Sequence, residues 1–355
     1  MKSAPDIWRN FCGELEAAGQ DVLTSGLISS ELDAAEGVRY LSRLMRIGLE
    51  MHLENANPAF PSFYQASHAT AKIGADNPDN YYQNATISGG FSYLISGQRG
   101  TVPILSFGTK ANRYAVDGSM ASTGELDIRE VDVMADGRFE IIVSREKPPK
   151  GNWLPLSHDS SILIVRQTFF NRNAEEAAIV KIQALDGPDK PEVLSLERLG
   201  KGLSSVPAFI KGTSSIFLNW AETFKARNFN SLNPMDQQMF VKAGGDPMIH
   251  YLHGWWSLEA DEVMEIKTEI PECEGWNFQL NNMWMESLDY RHHSVHMNNG
   301  LAEYNPDGSV TINVSSKSFG KNWIDSAGHD CGTMLWRWTG ARKFPTPKLK
   351  IQKRR

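Results

Sequence analysis

Beyond Pro58 the chain is written in short β-prone runs cut by Gly, Asn and Asp. ATISGGFSYLISG, TVPILSFG, LDIREVDVM, FEIIVS, SILIVRQTFF and AAIVKIQAL come first. IHYLHGWWSLE, EVMEIKTEI, NFQLNNMWMES, SVTINVSS and MLWRWTG follow. A parallel crossover needs a dozen or more residues, usually a helix, and these runs mostly follow one another without one. Antiparallel sheets result, and Rossmann and TIM-barrel architectures are set aside. Asp136-Gly137, within VDVMADGRFEIIVS, predicts a hairpin, and Asp307-Gly308 predicts a second turn. SILIVRQTFF starts almost continuously apolar, which predicts a central strand.

Helices precede and interrupt this pattern. Trp8, Phe11, Cys12, Leu15, Ala18 and Val22 recur at helical spacing. Ser30, with Asp33 three residues on, predicts the cap of a second helix carrying Val38, Leu41, Leu44, Met45 and Leu49. Ile216, Phe217, Trp220 and Phe224 share one face of a third. The expected fold is α+β and mainly antiparallel β: two jelly-roll-like β-sandwich units with N-terminal and central helices. The expected boundaries are N-terminal helices over 1–55, a β domain over 56–205, a helical connection over 206–245, a second β domain over 246–345, and a solvated basic tail over 346–355. The N-terminal helices are amphipathic rather than basic on one face, so they should pack on the β part.

Charge narrows the partners. Lys plus Arg is 36 against 42 Asp plus Glu, a net charge of -6. A generic nucleic-acid binder is basic, so no nucleic-acid partner is expected. No stretch of ~18 apolar residues occurs, so no membrane span is expected. The N-terminus shows no signal-peptide pattern, and Cys12, Cys273 and Cys331 make no paired spacing; free thiols in a reducing cytoplasm are expected. P-loop, GxGxxG, GxSxG and HEXXH motifs are absent. No cofactor is therefore expected. His293 and His296 lack a third ligand in sequence, so no metal is expected either.

Seven of the ten Trp and six of the nine His fall between residues 250 and 345. Taken as a strand, 276–286 puts Trp276, Asn282, Trp284 and Glu286 on one face, an arrangement suited to a polar ring-shaped ligand such as a carbohydrate. Asp289, Tyr290 and Arg291 follow directly. A second cluster holds Asp325, His329 and Arg337, with Asp325 and His329 four apart as a candidate acid–base pair. A third, ADNPDNYYQNATISG, offers Asp79 and Tyr82 and also reads as an Asx-rich turn. Arg166, alone within SILIVRQTFF, must be paired or line a cavity, with a carboxylate partner expected from the C-terminal half.

DNPDNYYQNATISG, ISGQRGTVPILSFG, DGRFEIIVS, GNWLPL and LIVRQTFF resemble the N-terminal part of domain-of-unknown-function 1214 (DUF1214) proteins. WNFQLNNMWMESLDYRHHSVHMN, DGSVTINVSS and NWIDSAGHDCGTMLWRW resemble that family's C-terminal domain. The resemblance spans about residues 36–347 and implies β-sandwich or jelly-roll structure.

The leading expectation is an enzyme, a hydrolase or lyase, acting on a small polar or glycosylated molecule. Catalysis falls to Glu286, His329, Asp325 and Asp289. Binding falls to Trp276, Asn282, Trp284, Arg166, Arg337, Tyr82, Asp79 and His296. The alternative is a non-catalytic ligand-binding or assembly protein, a possible homo-oligomer. Convergence of Glu286, Asp325, His329 and Arg166 on one water-accessible cavity would favour the enzyme.

Overall fold

Two serines start the N-terminal helices. In the computed structural model, which describes residues 3–354, Ser3 caps α1 (Ala4–Leu23) and Ser30 caps α2 (Glu31–Leu49). The Ser30 hydroxyl accepts the Asp33 N–H, and the Asp33 carboxylate accepts the Ser30 N–H. That exchange satisfies two donors left open at a helix start. The central helix α3 (Leu196–Arg227) begins about ten residues before the expected boundary, and a short α4 (Gln237–Lys242) follows.

The first β unit contains β1 (Asn80–Thr86), β2 (Tyr93–Gln98), β3 (Ile104–Arg113), β4 (Ser119–Asp127), β5 (Arg138–Ser144), β6 (Asn152–Pro155), β7 (Ile162–Thr168) and β8 (Ile179–Ala184). They form two four-stranded sheets, β1-β7-β3-β4 and β6-β5-β2-β8. The second unit contains β9 (Ile249–Ser257), β10 (Glu262–Thr268), β11 (Gly275–Leu280), β12 (His296–Asn298), β13 (Val310–Ser315), β14 (Trp323–Asp325), β15 (Cys331–Thr339) and β16 (Lys348–Lys353). Its sheets are β14-β13-β10-β16 and β12-β11-β15-β9. Pairing is antiparallel except at β5–β6 and β13–β14.

Each unit buries a core between its own sheets, and a third core lies between the two units under the helices. The third core explains the unusual runs. β7 sits between β1 and β3, with Leu163 and Val165 in its own sandwich and Ile162 and Ile164 in the third core. A strand buried on both faces reads as continuously apolar. Trp255 and Trp256 are both buried for the same reason, one in each of two cores.

Three expectations are corrected. Lys348–Lys353 is a strand hydrogen-bonded to β10, not a solvated tail, and Lys353 lies 2.6 Å from Asp261. Asp136-Gly137 does turn, with Gly137 at φ 85°, but the arm before it is not a strand. The strand expected over 276–286 ends at Leu280. The chain then turns through Met285 (φ 56°) and bridges back at Ser287.

Candidate functional site

Alternation along four strands aims polar side chains into the space between the sandwiches. On β7, Arg166 shares the face of Ile162 and Ile164. Its cross-strand partner on β1 is Tyr82. In the second unit, Tyr251 and His253 on β9, and Leu335 and Arg337 on β15, point the same way. Arg337 pairs in register with Tyr251 and Asn277. Rings from α3 and α4, Phe209, Phe217, Trp220 and Phe240, close the remaining wall. The cavity measures about 170 Å³.

Its cations are unevenly paired. Arg166 donates from Nη2 to the Gly244 carbonyl at 2.9 Å, while Nη1 is buried without a hydrogen-bond partner. Asp246, the carboxylate from the C-terminal half, lies 3.7 Å from Nη1, beyond hydrogen-bond length. Burial works against the Arg166 charge; Asp246 and Glu125 outweigh it and raise its pKa. Arg337 is buried, and its acceptors are all neutral: Asn277 Oδ1 at 3.3 Å, Gln279 Oε1 at 2.5 Å and the Ala75 carbonyl at 2.5 Å. Burial lowers its pKa.

His253 sits in an aromatic box, stacked on Phe224 with ring centroids 4.7 Å apart, and Phe240 is equally close. Its Nδ1 has no partner. Burial and then the Arg337 charge hold its pKa well below the ordinary range, so it is neutral at pH 7. Ala75 at the cavity edge has φ 57°, left-handed for a non-glycine. Such a residue costs on the order of 1–3 kcal/mol. Its N–H donates to the Met285 carbonyl at 2.6 Å, and Arg337 holds its own carbonyl.

The sequence-predicted residues therefore separate. Arg166, Arg337 and Tyr82 meet in the cavity. Asp79 is buried at the unit junction, with the half-buried His296 Nε2 3.0 Å from its carboxylate, and Asn277 and Asn298 donate to it. Trp276 is inside the second sandwich, stacked on Trp336 at 4.9 Å. Trp284 lies under α2 and donates to the Asp33 carbonyl at 3.1 Å. Asp289 is clamped by Arg291 at 2.7 Å, which pulls its pKa down. Asp325 bonds His293 at 2.8 Å and does not reach His329, because the chain between them turns rather than winding as a helix.

Glu286, Asn282 and His329 assemble a different cluster, built with two residues of α2 that sequence reasoning missed. Arg43 donates to Glu286 at 2.6 Å, and Asn282 donates to Glu286 at 3.1 Å and to Glu36 at 2.8 Å. His329 Nε2 meets Glu36 at 2.9 Å. Burial pushes the Glu286 pKa up, and Arg43 opposes it. Glu36 and Arg43 are seven apart, so both fall on the apolar stripe of α2, a signal present in the sequence. Among the described residues no group of three or more His, Cys, Asp or Glu could hold a metal ion.

This cluster makes the docking of α2 pH-dependent. Burial lowers the His329 pKa, but Glu36 outweighs it and the net shift is upward from 6.5. Burial raises Glu36, and His329, Asn282 and Arg39 outweigh that, leaving it below 4.5. The His329 contribution is therefore full below about pH 6.5 and lost as pH rises through its folded value. The Glu36 contribution is present above about pH 4.5 and lost as pH falls through its folded value. Melting curves of wild type and His329→Gln should lie furthest apart between these limits and draw together toward about pH 9. A gap independent of pH would refute the pairing.

Two β-sandwiches with a helix-covered, arginine-bearing cavity between them define the class of protein. The family model "Protein of unknown function (DUF1214)" matches residues 84–168, within the first sandwich. The match does not extend to residues 246–345. The chain is similar to an uncharacterized protein from Burkholderia cenocepacia, at 45% identity and TM-score 0.95, covering 98% of this chain and 97% of that one. It is similar in fold to the VPA0106 protein from Vibrio parahaemolyticus, at 10% identity and TM-score 0.50, covering 96% and 99%. No curated protein matches it. The chain belongs to the DUF1214 family.

Proposed function

We propose that the protein binds a small organic acid in the cavity between its sandwiches. The observation that carries this is a pair of guanidinium groups, Arg166 and Arg337, one from each unit, on a single aromatic-walled cavity, with Arg166 Nη1 lacking a hydrogen bond. A carboxylate accepts such donors in a bidentate geometry, and aromatic walls cover the ligand's apolar body. A volume of about 170 Å³ suits one six-membered ring, since a comparable 150 Å³ cavity holds benzene. Neutral His253 is a hydrogen-bonding group or a proton acceptor within the same wall. Three free cysteines suit a reducing compartment such as the cytoplasm.

An acid–base hydrolase or lyase centred on Glu286 has less behind it. Glu286 is wholly buried, is bonded to Arg43 and Asn282, and lines none of the described cavities.

Thermal shift with benzoate, benzamide and neutral sugars tests the proposal. Benzoate at ~100 times its dissociation constant should add ~2.7 kcal/mol. Benzamide and sugars should add little, and Arg166→Met should abolish the benzoate effect. Stabilisation by sugars but not by any acid would overturn the proposal and restore a carbohydrate ligand.

A further inference from the structure

A second cavity of about 230 Å³ adjoins the first. The two share Met51, Tyr114, Ile162 and Phe209, so the wall between them is made of side chains that line both. Beyond that wall, Tyr64 lines the second cavity. It is 7% exposed, and its hydroxyl has no hydrogen-bond partner. A buried hydroxyl left unpaired is costly, and nearly all such groups in folded proteins are satisfied by protein, water or ligand. One polymer strand fixes the axis. Arg166, Ile164 and Ile162 of β7 line the first cavity in turn, and Ile162 and Ser161 continue into the second.

Resting on the acid-binding reading above, we infer that the ligand is an elongated acid whose carboxylate sits at Arg166 and Arg337 and whose apolar chain passes Tyr114 and Phe209 toward the Tyr64 hydroxyl. Arg166 to Ile162 is four residues of strand, about 13 Å at ~3.3 Å each. Extended chains cover a little over 1 Å per backbone atom, so roughly a dozen chain atoms span the path. The chemistry is that of a medium-chain carboxylic acid, and a hydroxyl or oxo group at its far end would meet Tyr64. Tyr114 donates to the Ala243 carbonyl at 2.5 Å, which holds the ring at the partition.

Titration calorimetry with straight-chain acids of four to fourteen carbons tests this on the unmodified protein. Affinity should rise roughly fourfold per added carbon, the equivalent of ~0.8 kcal/mol per buried methylene, and level off near twelve. An Ala56→Trp substitution, which fills the second cavity, should flatten the series beyond six carbons and leave hexanoate unchanged. Tyr64→Phe should erase any preference for 12-hydroxydodecanoate over dodecanoate. If benzoate and hexanoate bind with no gain from longer chains, or if the gain survives Ala56→Trp, the elongated ligand is wrong and the acid site stands. If no acid of any length binds, the acid site itself fails.

Discussion

Replacing Glu286 with Gln is expected to cost about 3–5 kcal/mol of stability, because it leaves a buried cation without its counter-charge. Arg43 is 8% exposed and Glu286 is fully buried, with 2.6 Å between their charged atoms. Gln preserves the volume but not the charge. The loss would appear as a lower denaturant midpoint with an unchanged slope. A paired Arg43→Met, Glu286→Leu exchange should lose much less than either single change, since an apolar pair of similar size can replace a buried ion pair. The cycle separates an interior lock from a catalytic acid. A catalytic Glu286 would tolerate Gln with its fold intact. An interior lock would not, and a Gln variant as stable as wild type would refute it.

The same pair shows what the sequence could and could not convey. β periodicity gave the two sandwiches, and Ser30-x-x-Asp33 gave a helix start, because strand alternation and capping are local properties. Arg166 was recognisable as a cavity or paired cation because a charge inside SILIVRQTFF breaks a strongly apolar run. The pattern from Trp276 to Glu286 misled because period-2 reasoning assumes an unbroken strand. Met285 and Asn282 instead build a turn: Asn282 Oδ1 accepts from the N–H groups of Trp284 and Glu286, at 3.0 Å each. Trp276 and Trp284 were thereby sent to different cores. His253 was legible in principle, since Tyr251, His253 and Trp255 alternate on one face of β9, but only the placement of α3 and α4 makes that face a cavity wall. Arg43 meeting Glu286 joins residues 243 apart in sequence, and no local pattern encodes such a contact.

Removing residues 1–53 should abolish cooperative folding rather than merely trim stability. α1 packs on α3, and α2 packs on α3 and on the 282–286 turn. Val22, Tyr40, Leu44 and Ile47 are at most 1% exposed and belong to the core between the sandwiches. Burial of side chains this size stabilises by roughly 1.5–3 kcal/mol each, so these four account for something on the order of 10 kcal/mol, comparable to the whole margin of a folded protein. The truncation also leaves Glu286 and Trp284 without Arg43 and the Asp33 carbonyl, and uncovers the second cavity by removing Met51 and His52. Gly37 marks how close the contact is: a Cβ there would lie 2.8 Å from Trp284 Cζ2. A bulkier Gly37→Val change should therefore lose a smaller part of the same docking energy, about 1–3 kcal/mol from overpacking. Near-UV circular dichroism would follow both variants. A truncated chain that keeps a sharp thermal transition at the wild-type temperature would mean that the helices are an appendage and that the two sandwiches alone build the third core.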